Sequence, residues 1–454
     1  DVVGFIDDDQ SKKGREIHGV RVLDRCAAIP QLARLLRIEL ILIAVPSAST
    51  EQMRSMVEYC ERSATPFRTL PKVQDILGGT ASSADLRSVE LDDLLGRDPV
   101  DLDWDAMARM IKDRRVLITG GAGSIGSELC RQVARLEPAE IILLEQNEFN
   151  LYSLALELEE RFPSVCFWPL LGDVCDPDSV RFIFSRYRPE IVFHAAAYKH
   201  VPMLQDQVRE TIRNNTVGTM VTAKAAVKSG VEKFVLISTD KAVNPTSMMG
   251  VSKRLAEMVA QLNNSESNTA FVTVRFGNVL GSAGSVVPLF ERQIQAGGPV
   301  TVTDPMMTRY FMTTSEACQL ILQACAIGEG GEIFVLNMGE PVKIDYLARQ
   351  MIRLSGKVPD EEIEIKYTGL RPGEKLTEEL FHPDEDLTPT SYDKILLARS
   401  RSVDNAHLVE QLAQLRGSVE IYKHERAREI AVALVPEYRG ESDDSSQTSP
   451  NQAA

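Results

Sequence analysis

A glycine-rich loop, GGAGSIG, joins an apolar stretch to an amphipathic one and restricts the fold of this chain more than any other feature. Residues 115–119 read RVLIT, which predicts a strand, and a predicted helix over 127–136 follows the loop. Gly120, Gly123 and Gly126 allow a tight turn, a close approach of backbone N–H groups to a pyrophosphate, and close packing of helix on strand. The helix N-terminus adds positive potential. This order of elements predicts a dinucleotide site in an α/β fold and disfavours a glycine turn without a ligand.

A carboxylate ends the next predicted strand, 140–144. It is Glu145, which lies 19 residues after Gly126. A carboxylate at this place accepts hydrogen bonds from both ribose hydroxyls and repels a 2′-phosphate, which favours NAD over NADP. Asp173 and Val174 follow another apolar segment and are expected to lie near the adenine.

Composition restricts the class of protein. The 454 residues are 44% hydrophobic and 25% charged, which is typical of a soluble globular chain with room for several domains. The net charge of −15 disfavours a general nucleic-acid binder, because acidic surfaces repel phosphate backbones. The seven cysteines lack CxxC pairs and zinc spacing, so we interpret them as reduced cytosolic thiols and predict no metal site. No apolar run reaches the roughly 18 to 20 residues that span a bilayer.

The N-terminal part predicts an incomplete α/β accessory domain over 1–77. Its predicted elements alternate between strands over 2–6, 19–23 and 40–45 and helices over 27–36 and 50–62. The strand over 40–45 is apolar throughout and is expected to be buried. The acidic turn at 7–9 is interpreted as solvated, because no glycine loop precedes it. The chain begins inside the first strand without Met, so we expect the natural N-terminus to lie upstream of Asp1.

The rest of the chain divides into a surface linker, a catalytic domain, a helical segment and a disordered tail. We predict their bounds as 78–112, 113–398, 399–440 and 441–454. The linker combines glycines, serines and charges with little periodicity. The tail lacks the aliphatic runs that would offset the entropy cost of ordering.

Three motifs in the catalytic domain resemble the extended short-chain dehydrogenase/reductase family. They are the glycine loop, the HAAA segment over 194–197 at a predicted strand end, and Asn215 before the segment VGT. The resemblance covers roughly 114–397 and implies a doubly wound, Rossmann-type parallel sheet with a smaller substrate-binding subdomain. It also implies that NAD is held by Gly120, Gly123, Ser124, Ile125, Gly126, Glu145, Asp173, Val174, Ala195, Ala196 and Lys253.

The segment 238–253, STDKAVNPTSMMGVSK, more narrowly resembles the UDP-N-acetylglucosamine 4,6-dehydratases. The α/β half before the catalytic domain resembles the long, membrane-tethered branch of these polysaccharide biosynthesis proteins, whose transmembrane helices would precede Asp1. Such a dehydratase oxidises the sugar at carbon 4 with NAD, removes the proton at carbon 5, expels the carbon 6 hydroxyl as water and returns the hydride to carbon 6. The resemblance implies that Lys241 takes the carbon 5 proton, that Asp240 protonates the leaving hydroxyl, and that Thr239 hydrogen-bonds the carbon 4 oxygen.

A lysine that acts as a base has to be neutral. We expect burial or nearby Lys253 to lower the pKa of Lys241, while adjacent Asp240 raises it, so that the two groups titrate as a pair. Both groups follow the apolar strand 233–237, and α/β ligands bind at the carboxyl ends of such strands. A plain helix N-cap is the alternative interpretation of the Ser-Thr-Asp triplet.

Met249 departs from the usual Tyr-x-x-x-Lys pair of the family. In that pair an ionised tyrosine removes the hydroxyl proton, while the lysine, here Lys253, lowers the tyrosine pKa and holds the ribose. A thioether has no titratable proton. Long-branch members resemble this chain in carrying Met at this place, so Met249 supports the subfamily and leaves the carbon 4 base unassigned.

The resemblance also implies a site for the sugar nucleotide. Forked guanidinium donors suit phosphate oxygens, and a glutamate can accept hydrogen bonds from the uridine ribose hydroxyls. The residues assigned to this site are Lys199, Asn278, Arg309, Arg371 and Glu374. His200 remains open between a sugar contact and a structural histidine.

Together these motifs predict NAD-dependent dehydration of UDP-N-acetylglucosamine, with the carbon 5 configuration retained, for bacterial surface glycan synthesis. A UDP-sugar 4-epimerase shares the oxidation step and needs no Asp–Lys pair, and Met249 motivates the alternative of a non-catalytic scaffold that binds NAD and a UDP-sugar. By resemblance we expect a homo-oligomer at the cytoplasmic face of the bacterial inner membrane. Its tether would lie upstream of this fragment, which we expect to be soluble.

Overall fold

The computed structural model describes residues 1–45, 48–70, 86–89, 91–95, 102–398 and 404–440. The chain divides into two compact units. The first comprises Asp1–Pro99, Gln293–Val300 and Tyr346–Ile365, and the second comprises Val100–Arg292, Thr301–Asp345 and Lys366–Ala454. The predicted disordered tail, 441–454, and much of the predicted linker lie outside the described residues.

The N-terminal part of the first unit alternates strands and helices, as predicted. Its elements are β1 (Phe5–Ile6), β2 (Glu16–Ile17), β3 (Val20–Asp24), α1 (Ile29–Leu35), β4 (Ile41–Ile43), α2 (Thr50–Ser63), β5 (Phe67–Thr69) and α3 (Leu91–Leu95). The first three strands form a sheet of order β1-β3-β2, and β4 pairs in parallel with β5. Helix α2 begins at a capping box between Ser49 and Gln52, which satisfies two backbone N–H groups.

Two expectations for this unit differ from the structure. The strand predicted as buried over 40–45 is buried at Ile43, whereas Leu42 is 44% exposed, so that prediction was wrong. An apolar run does not reveal whether one face or both faces of a strand are covered. Part of the predicted linker is helical, because α3 lies within it and Arg87 pairs with Asp93 of that helix at 2.7 Å. The domain bounds themselves stay predictions.

The second unit is built on a large sheet. The remaining strands are β6 (Arg115–Thr119), β7 (Glu140–Glu145), β8 (Cys166–Leu171), β9 (Ile191–His194), β10 (Lys233–Ile237), β11 (Ala270–Arg275), β12 (Asn278–Val279), β13 (Val300–Val302), β14 (Thr308–Arg309), β15 (Phe311–Met312), β16 (Ile333–Leu336), β17 (Val342–Lys343), β18 (Ile365–Tyr367), β19 (Leu387–Pro389) and β20 (Ile395–Ala398). In the described part of the chain, this sheet has nine strands in the order β19-β20-β16-β11-β10-β9-β6-β7-β8. All pairs from β16 to β8 are parallel, and β20 and β19 complete the edge in antiparallel fashion.

Helices cover both faces of this sheet. The remaining helices among the described residues are α4 (Trp104–Ile111), α5 (Ser124–Ala134), α6 (Glu148–Arg161), α7 (Pro177–Tyr187), α8 (Val201–Asp206), α9 (Val208–Ile212), α10 (Gly218–Ser229), α11 (Met248–Glu266), α12 (Val286–Gln295), α13 (Thr314–Ile327), α14 (Ile344–Leu354), α15 (Asn405–Glu420) and α16 (His424–Leu434). Most of α14 belongs to the first unit. Alternate side chains of β6 enter opposite cores: Val116 and Ile118 pack with α4, α5, α6 and α13, whereas Leu117 packs with α7, α10, α11, α15 and α16. The predicted doubly wound, Rossmann-type fold is confirmed.

The strand order places the ligand sites. From β6 the chain builds outward through β7 to β8, and it then returns to β9 on the other side of β6. This reversal is a topological switch point, where ligands of open α/β sheets bind at the carboxyl ends of the strands. Two short pairs outside the large sheet, β12 with β15 and β14 with β17, carry Asn278 and Arg309.

Candidate active site

The glycine loop after β6 leaves room where side chains would otherwise stand. Gly120 has φ +64°, and a Cβ built on it would lie 2.7 Å from the backbone of Ala196. A Cβ on Gly126 would lie 2.0 Å from the carbonyl oxygen of Gly120. Helix α5 begins at Ser124 with Gly123 as its N-cap and without a capping side chain. The loop therefore presents backbone N–H groups at a helix N-terminus, which fits the pyrophosphate of a dinucleotide.

A cavity of ≈ 160 Å³ opens beside this loop. It is lined by Gly120, Gly123, Leu144, Glu145, Gln146, Gly172, Val174, Ala195, Ala196, Ala197 and Asn214. Several residues that the sequence assigned to NAD therefore meet in one place. Ser124, Ile125, Gly126, Asp173 and Lys253 are not among the lining residues.

Glu145 is fixed at the end of β7. Its Oε1 accepts hydrogen bonds from the backbone N–H groups of Gln146 and Asn147, each at 2.9 Å, and its Oε2 accepts one from Ala122 at 3.3 Å. These contacts hold the carboxylate beside the cavity, as a ribose-binding acid requires.

Asp173 is engaged with protein groups. Its carboxylate accepts hydrogen bonds from the Cys175 backbone N–H at 2.8 Å and from Arg213 at 2.6 Å. Burial alone would raise the pKa of Asp173, but these donors outweigh it and lower the pKa. Of the two residues predicted to lie near the adenine, Val174 lines the cavity and Asp173 does not.

His194, the last residue of β9, is hydrogen-bonded to side chains of β6 and α10. Its Nδ1 lies 2.8 Å from the Thr119 hydroxyl and its Nε2 lies 3.0 Å from the Thr219 hydroxyl. Burial, assisted by the charge of Lys253, lowers the pKa of His194 to about 3. The imidazole is therefore neutral and joins β6, β9 and α10 through both ring nitrogens.

The Ser-Thr-Asp triplet follows β10 and begins a single 3-10 turn, Asp240–Ala242. Thr239 caps this turn, because its hydroxyl accepts from the Lys241 backbone N–H at 3.4 Å, and it donates to Asp240 Oδ1 at 2.8 Å. Lys241 Nζ donates to Asp240 Oδ1 at 3.0 Å and to Asn278 Oδ1 at 2.9 Å. Asp240 is fully buried, and its Oδ2 has no hydrogen-bond partner among the described residues.

The charge of Lys241 differs from the expectation that its pKa falls. Burial lowers that pKa, and Arg309 lowers it further, but the neighbouring carboxylates of Asp240 and Glu378 outweigh both and raise it. The side chain is therefore an ammonium ion in the free protein. Sequence proximity identified Asp240, whereas Glu378 reaches Lys241 only through the fold.

Met249 and Lys253 lie inside α11 and are almost fully buried. Lys253 Nζ donates to the carbonyl oxygen of Ile237, the last residue of β10, at 2.6 Å. Burial lowers the pKa of Lys253 to about 8, although Glu257 acts in the opposite direction. Neither Met249 nor Lys253 is among the lining residues of the two clefts described in this section.

A second cleft, of ≈ 260 Å³, gathers the residues predicted to bind the sugar nucleotide. Its lining includes Lys199, His200, Lys241, Asn278, Arg309, Arg371, Glu374, Lys375 and Glu378. All five residues that the sequence assigned to the substrate are therefore in one cleft with Lys241. Lys375 and Glu378 were missed, because only their burial and neighbours distinguish them from the other charges of the segment RPGEKLTEEL.

Arg309 is held from two sides. Its Nη1 donates to the carbonyl oxygens of Thr308 at 2.7 Å and Leu376 at 3.2 Å, and its Nε lies 3.6 Å from Glu378 Oε1. A guanidinium group that is fixed in this way presents its remaining donors in a constant direction, which suits a phosphate.

Lys199 and His200 also line the second cleft. Burial lowers the pKa of Lys199, and burial together with Lys199 lowers that of His200. The His200 ring also packs on Gly284, where a Cβ would lie 2.5 Å away. His200 thus combines a structural contact with a place in the cleft lining.

Within the described ranges, no cluster of three or more His, Cys, Asp and Glu side chains could hold a metal ion. None of the helices that the structure describes is long and apolar enough to cross a membrane.

A parallel sheet with a glycine loop at its switch point, and a second cleft at the same strand ends, define an extended short-chain dehydrogenase/reductase fold. The chain belongs to the polysaccharide biosynthesis protein family, whose characteristic sequence pattern matches residues 116–400. Residues 1–71 match a pattern described as a CoA-binding domain.

The curated relatives include polysaccharide biosynthesis proteins and a nucleotide-sugar epimerase. It is 47% identical over 393 residues to the capsular polysaccharide biosynthesis protein CapD of Staphylococcus aureus, covering 86% of this chain and 65% of CapD. It is 46% identical over 399 residues to the "Probable polysaccharide biosynthesis protein EpsC" of Bacillus subtilis, covering 88% and 67%. A UDP-glucose 4-epimerase of Rickettsia rickettsii is 34% identical over 283 residues, covering 61% and 80%. The chain thus spans about two thirds of the length of CapD and EpsC.

Two solved structures share the fold. Pen from Bacillus thuringiensis superposes with a TM-score of 0.59 at 34% identity, covering 65% of this chain and 89% of Pen. A double mutant of DesIV from Streptomyces venezuelae, titled a dTDP-glucose 4,6-dehydratase with NAD and DAU bound, superposes with a TM-score of 0.52 at 25% identity, covering 59% and 88%. The family is therefore one of short-chain dehydrogenase/reductase enzymes related to nucleotide-sugar dehydratases and epimerases.

Proposed function

We propose that this protein catalyses the NAD-dependent 4,6-dehydration of UDP-N-acetylglucosamine to UDP-2-acetamido-2,6-dideoxy-4-keto-hexose, with the carbon 5 configuration retained, for surface glycan synthesis. One observation carries the proposal. Asp240, a fully buried carboxylate whose Oδ2 has no hydrogen-bond partner within the described ranges, is hydrogen-bonded to Lys241 at 3.0 Å, and Lys241 lines a cleft that contains two arginines. An acid and a base side by side are what the removal of water from adjacent carbons requires.

NAD is the cofactor, in agreement with the prediction, because the cavity at the glycine loop fits a dinucleotide and DesIV is described with NAD bound. NAD supplies a hydride acceptor for carbon 4 and a hydride donor for carbon 6. Glu145 is held where it accepts hydrogen bonds from the ribose hydroxyls, and Gly120 and Gly123 leave room for the pyrophosphate.

In the proposed reaction, the residues that follow β10 transfer protons to and from the sugar. Asp240 directs its unpartnered Oδ2 to the leaving hydroxyl at carbon 6, and Lys241 receives the proton from carbon 5. The Thr239 hydroxyl, now bonded to Asp240 Oδ1 at 2.8 Å, hydrogen-bonds the carbon 4 oxygen. Asn278 Oδ1 accepts a hydrogen bond from Lys241 Nζ at 2.9 Å and so orients this side chain towards carbon 5.

An anionic nucleotide sugar is bound by local cations, although the chain as a whole carries a charge of −15. Arg309, Arg371 and Lys199 surround the diphosphate, and Glu374 accepts hydrogen bonds from the uridine ribose. We further propose that the protein works as a homo-oligomer at the cytoplasmic face of the bacterial inner membrane, which the resemblance to the long branch supports.

Incubation with UDP-N-acetylglucosamine in deuterium oxide, followed by mass spectrometry and NMR of the product, tests the reaction. We expect the loss of one water, deuterium at carbon 5 and no net accumulation of NADH. A product of unchanged mass and inverted carbon 4 would establish an epimerase instead. Unchanged substrate, despite bound NAD and bound UDP-sugar, would establish a scaffold.

A further inference from the structure

Glu378 is a buried carboxylate that no sequence motif singled out. Its side chain is 4% exposed, and its Oε1 lies 3.7 Å from Lys241 Nζ and 3.6 Å from Arg309 Nε. Its other oxygen, Oε2, is buried and has no hydrogen-bond partner within the described part of the chain. A buried carboxylate oxygen without a donor is costly, so Oε2 favours a hydroxyl or N–H group that a ligand brings into the cleft.

The charged or titratable groups around Lys241 and Glu378 come from several elements. They are Asp240 on the same turn as Lys241, Arg309 on β14, Lys375 on the segment that carries Glu378, and Tyr310, which faces Asp240. Arg309 and Lys375 are hydrogen-bond donors to backbone carbonyls. Burial, with the nearby acids, raises the pKa of Tyr310, so this hydroxyl keeps its proton. Among the described residues, Asp240 and Glu378 are the two carboxylates within 4 Å of Lys241 Nζ, at 3.0 Å and 3.7 Å.

A count of protons shows why both acceptors are needed in the proposed reaction. In the free site the Lys241 ammonium carries a mobile proton. Oxidation at carbon 4 releases a second one from the hydroxyl, and Met249 cannot take it. Elimination then requires a protonated Asp240 and a neutral Lys241. Asp240 can take the Lys241 proton across their 3.0 Å hydrogen bond, which leaves the hydroxyl proton to a third group.

We propose that Glu378 accepts the proton of the carbon 4 hydroxyl during oxidation, an inference that rests on the proposed function. The O–H bond breaks and its proton passes to Glu378 Oε2, while the hydride of the C–H bond at carbon 4 passes to NAD⁺ as the oxidant. The alcohol becomes a ketone, and the carboxylate becomes a carboxylic acid. Lys241 gives the proton that it took back to carbon 5 as the hydride reaches carbon 6. The neutral Lys241 amine then takes the proton of Glu378 through Oε1, where a shortening from 3.7 Å to about 3.0 Å completes a hydrogen bond.

The test compares the purified chain with its Glu378→Gln, Glu378→Asp and Glu379→Gln variants, loaded with NAD. Glu379 is the matched control, because it is the adjacent glutamate and its side chain is 39% exposed. We expect Glu378→Gln to slow nicotinamide reduction in a single turnover with UDP-N-acetylglucosamine by about 100-fold or more, as loss of a general base does. Its Kd for the substrate should stay within about threefold of the unsubstituted value, since a side-chain amide preserves size and hydrogen bonding.

The pH profile separates proton transfer from a structural role. In the unsubstituted protein and in Glu378→Asp, the rate of nicotinamide reduction should fall at acidic pH, because a protonated carboxyl cannot accept a proton. In Glu378→Gln this fall should disappear. Nicotinamide reduction at the normal rate in Glu378→Gln, or a slow rate with the acidic fall unchanged, would overturn the inference. If the unsubstituted protein itself removes no water from the substrate, the proposed function fails, and this result is distinct from any effect of Glu378.

Discussion

Arg275 and Glu257 form a doubly hydrogen-bonded ion pair in which neither side chain is exposed. Arg275 Nε and Nη2 each lie 2.7 Å from one oxygen of Glu257. Arg275 also pairs with Glu385, and Glu257 accepts a hydrogen bond from the Ser238 hydroxyl at 2.7 Å. The pair therefore ties the ends of β10 and β11 to α11, directly beside the turn that carries Asp240.

Removal of one partner should destabilise the fold strongly. Arg275→Ala removes the buried cation that Glu257 and Glu385 share, although Arg254 stays 3.1 Å from Glu257. We expect a loss of about 3–5 kcal/mol in the free energy of unfolding. Urea unfolding followed by circular dichroism measures this loss. Arg416→Ala, which breaks an exposed pair with Glu420 on α15, is the control and should change stability little. Equal effects of the two substitutions would contradict the importance of burial.

The same pair predicts a dependence of stability on pH. Burial alone would raise the pKa of Glu257, but Arg275, Arg254 and Ser238 lower it from 4.5 to about 2. Because the pKa is lower in the folded state, the stabilisation is complete above about pH 4.5 and is lost as pH falls towards 2. The urea midpoint should therefore decline over this window. The Glu257→Gln variant should start from a lower urea midpoint and should lack this part of the decline. If its midpoint falls with pH as steeply as that of the unsubstituted protein, Glu257 is not the group that titrates.

Lys241→Ala should abolish the elimination of water while NAD stays bound. Lys241 lies in the second cleft, whereas the cavity at the glycine loop has other lining residues. We expect turnover to fall by about 10²–10⁴-fold, the range typical of a general acid–base group. Product formation is followed by mass spectrometry and bound NAD by absorbance after gel filtration. Lys112→Ala, at an exposed pair with Glu137, is the control. Near-normal turnover in Lys241→Ala would remove Lys241 from the mechanism.

Gly126→Ala should weaken the binding of NAD. The new Cβ would lie 2.0 Å from the carbonyl oxygen of Gly120, so the loop would have to move away from its ligand-binding conformation. We expect the affinity for NAD, measured by isothermal titration calorimetry, to fall at least about tenfold. Gly417→Ala is the matched control, because among the described residues no atom outside the local helix backbone lies within 4 Å of its Cβ position in α15. It should bind NAD normally and gain about 0.5–1 kcal/mol in stability.

Arg371→Ala should weaken substrate binding and leave the fold intact. The residue lines the second cleft and is exposed, so its loss creates no buried cavity. A hydrogen bond to a charged group contributes about 1.5–3 kcal/mol, which corresponds to a roughly 10- to 100-fold higher Kd for UDP-N-acetylglucosamine. Calorimetry with the intact substrate and with UDP alone measures this change. An unaltered Kd for both ligands would exclude Arg371 from the diphosphate site.

Much of the fold and part of the candidate site could be predicted from local patterns. The glycine loop lies between a short strand and a helix, and Glu145 ends the next strand. These relations involve neighbours along the chain, so residue type and spacing are sufficient to find them. The apolar strand 40–45 shows the limit of this reasoning, since Leu42 is largely exposed and hydrophobicity alone does not reveal which faces are covered.

What the sequence by itself determined is the presence of a dinucleotide loop and of an adjacent Asp240–Lys241 pair. Only the tertiary structure decided the charge of Lys241, because burial, which lowers its pKa, and Glu378, which joins Asp240 in raising it, both come from the packing of distant segments. The same holds for the Arg275–Glu257 pair, whose strength comes from exclusion of water. Electrostatic energies vary with distance and burial, and both quantities are set when remote segments pack together.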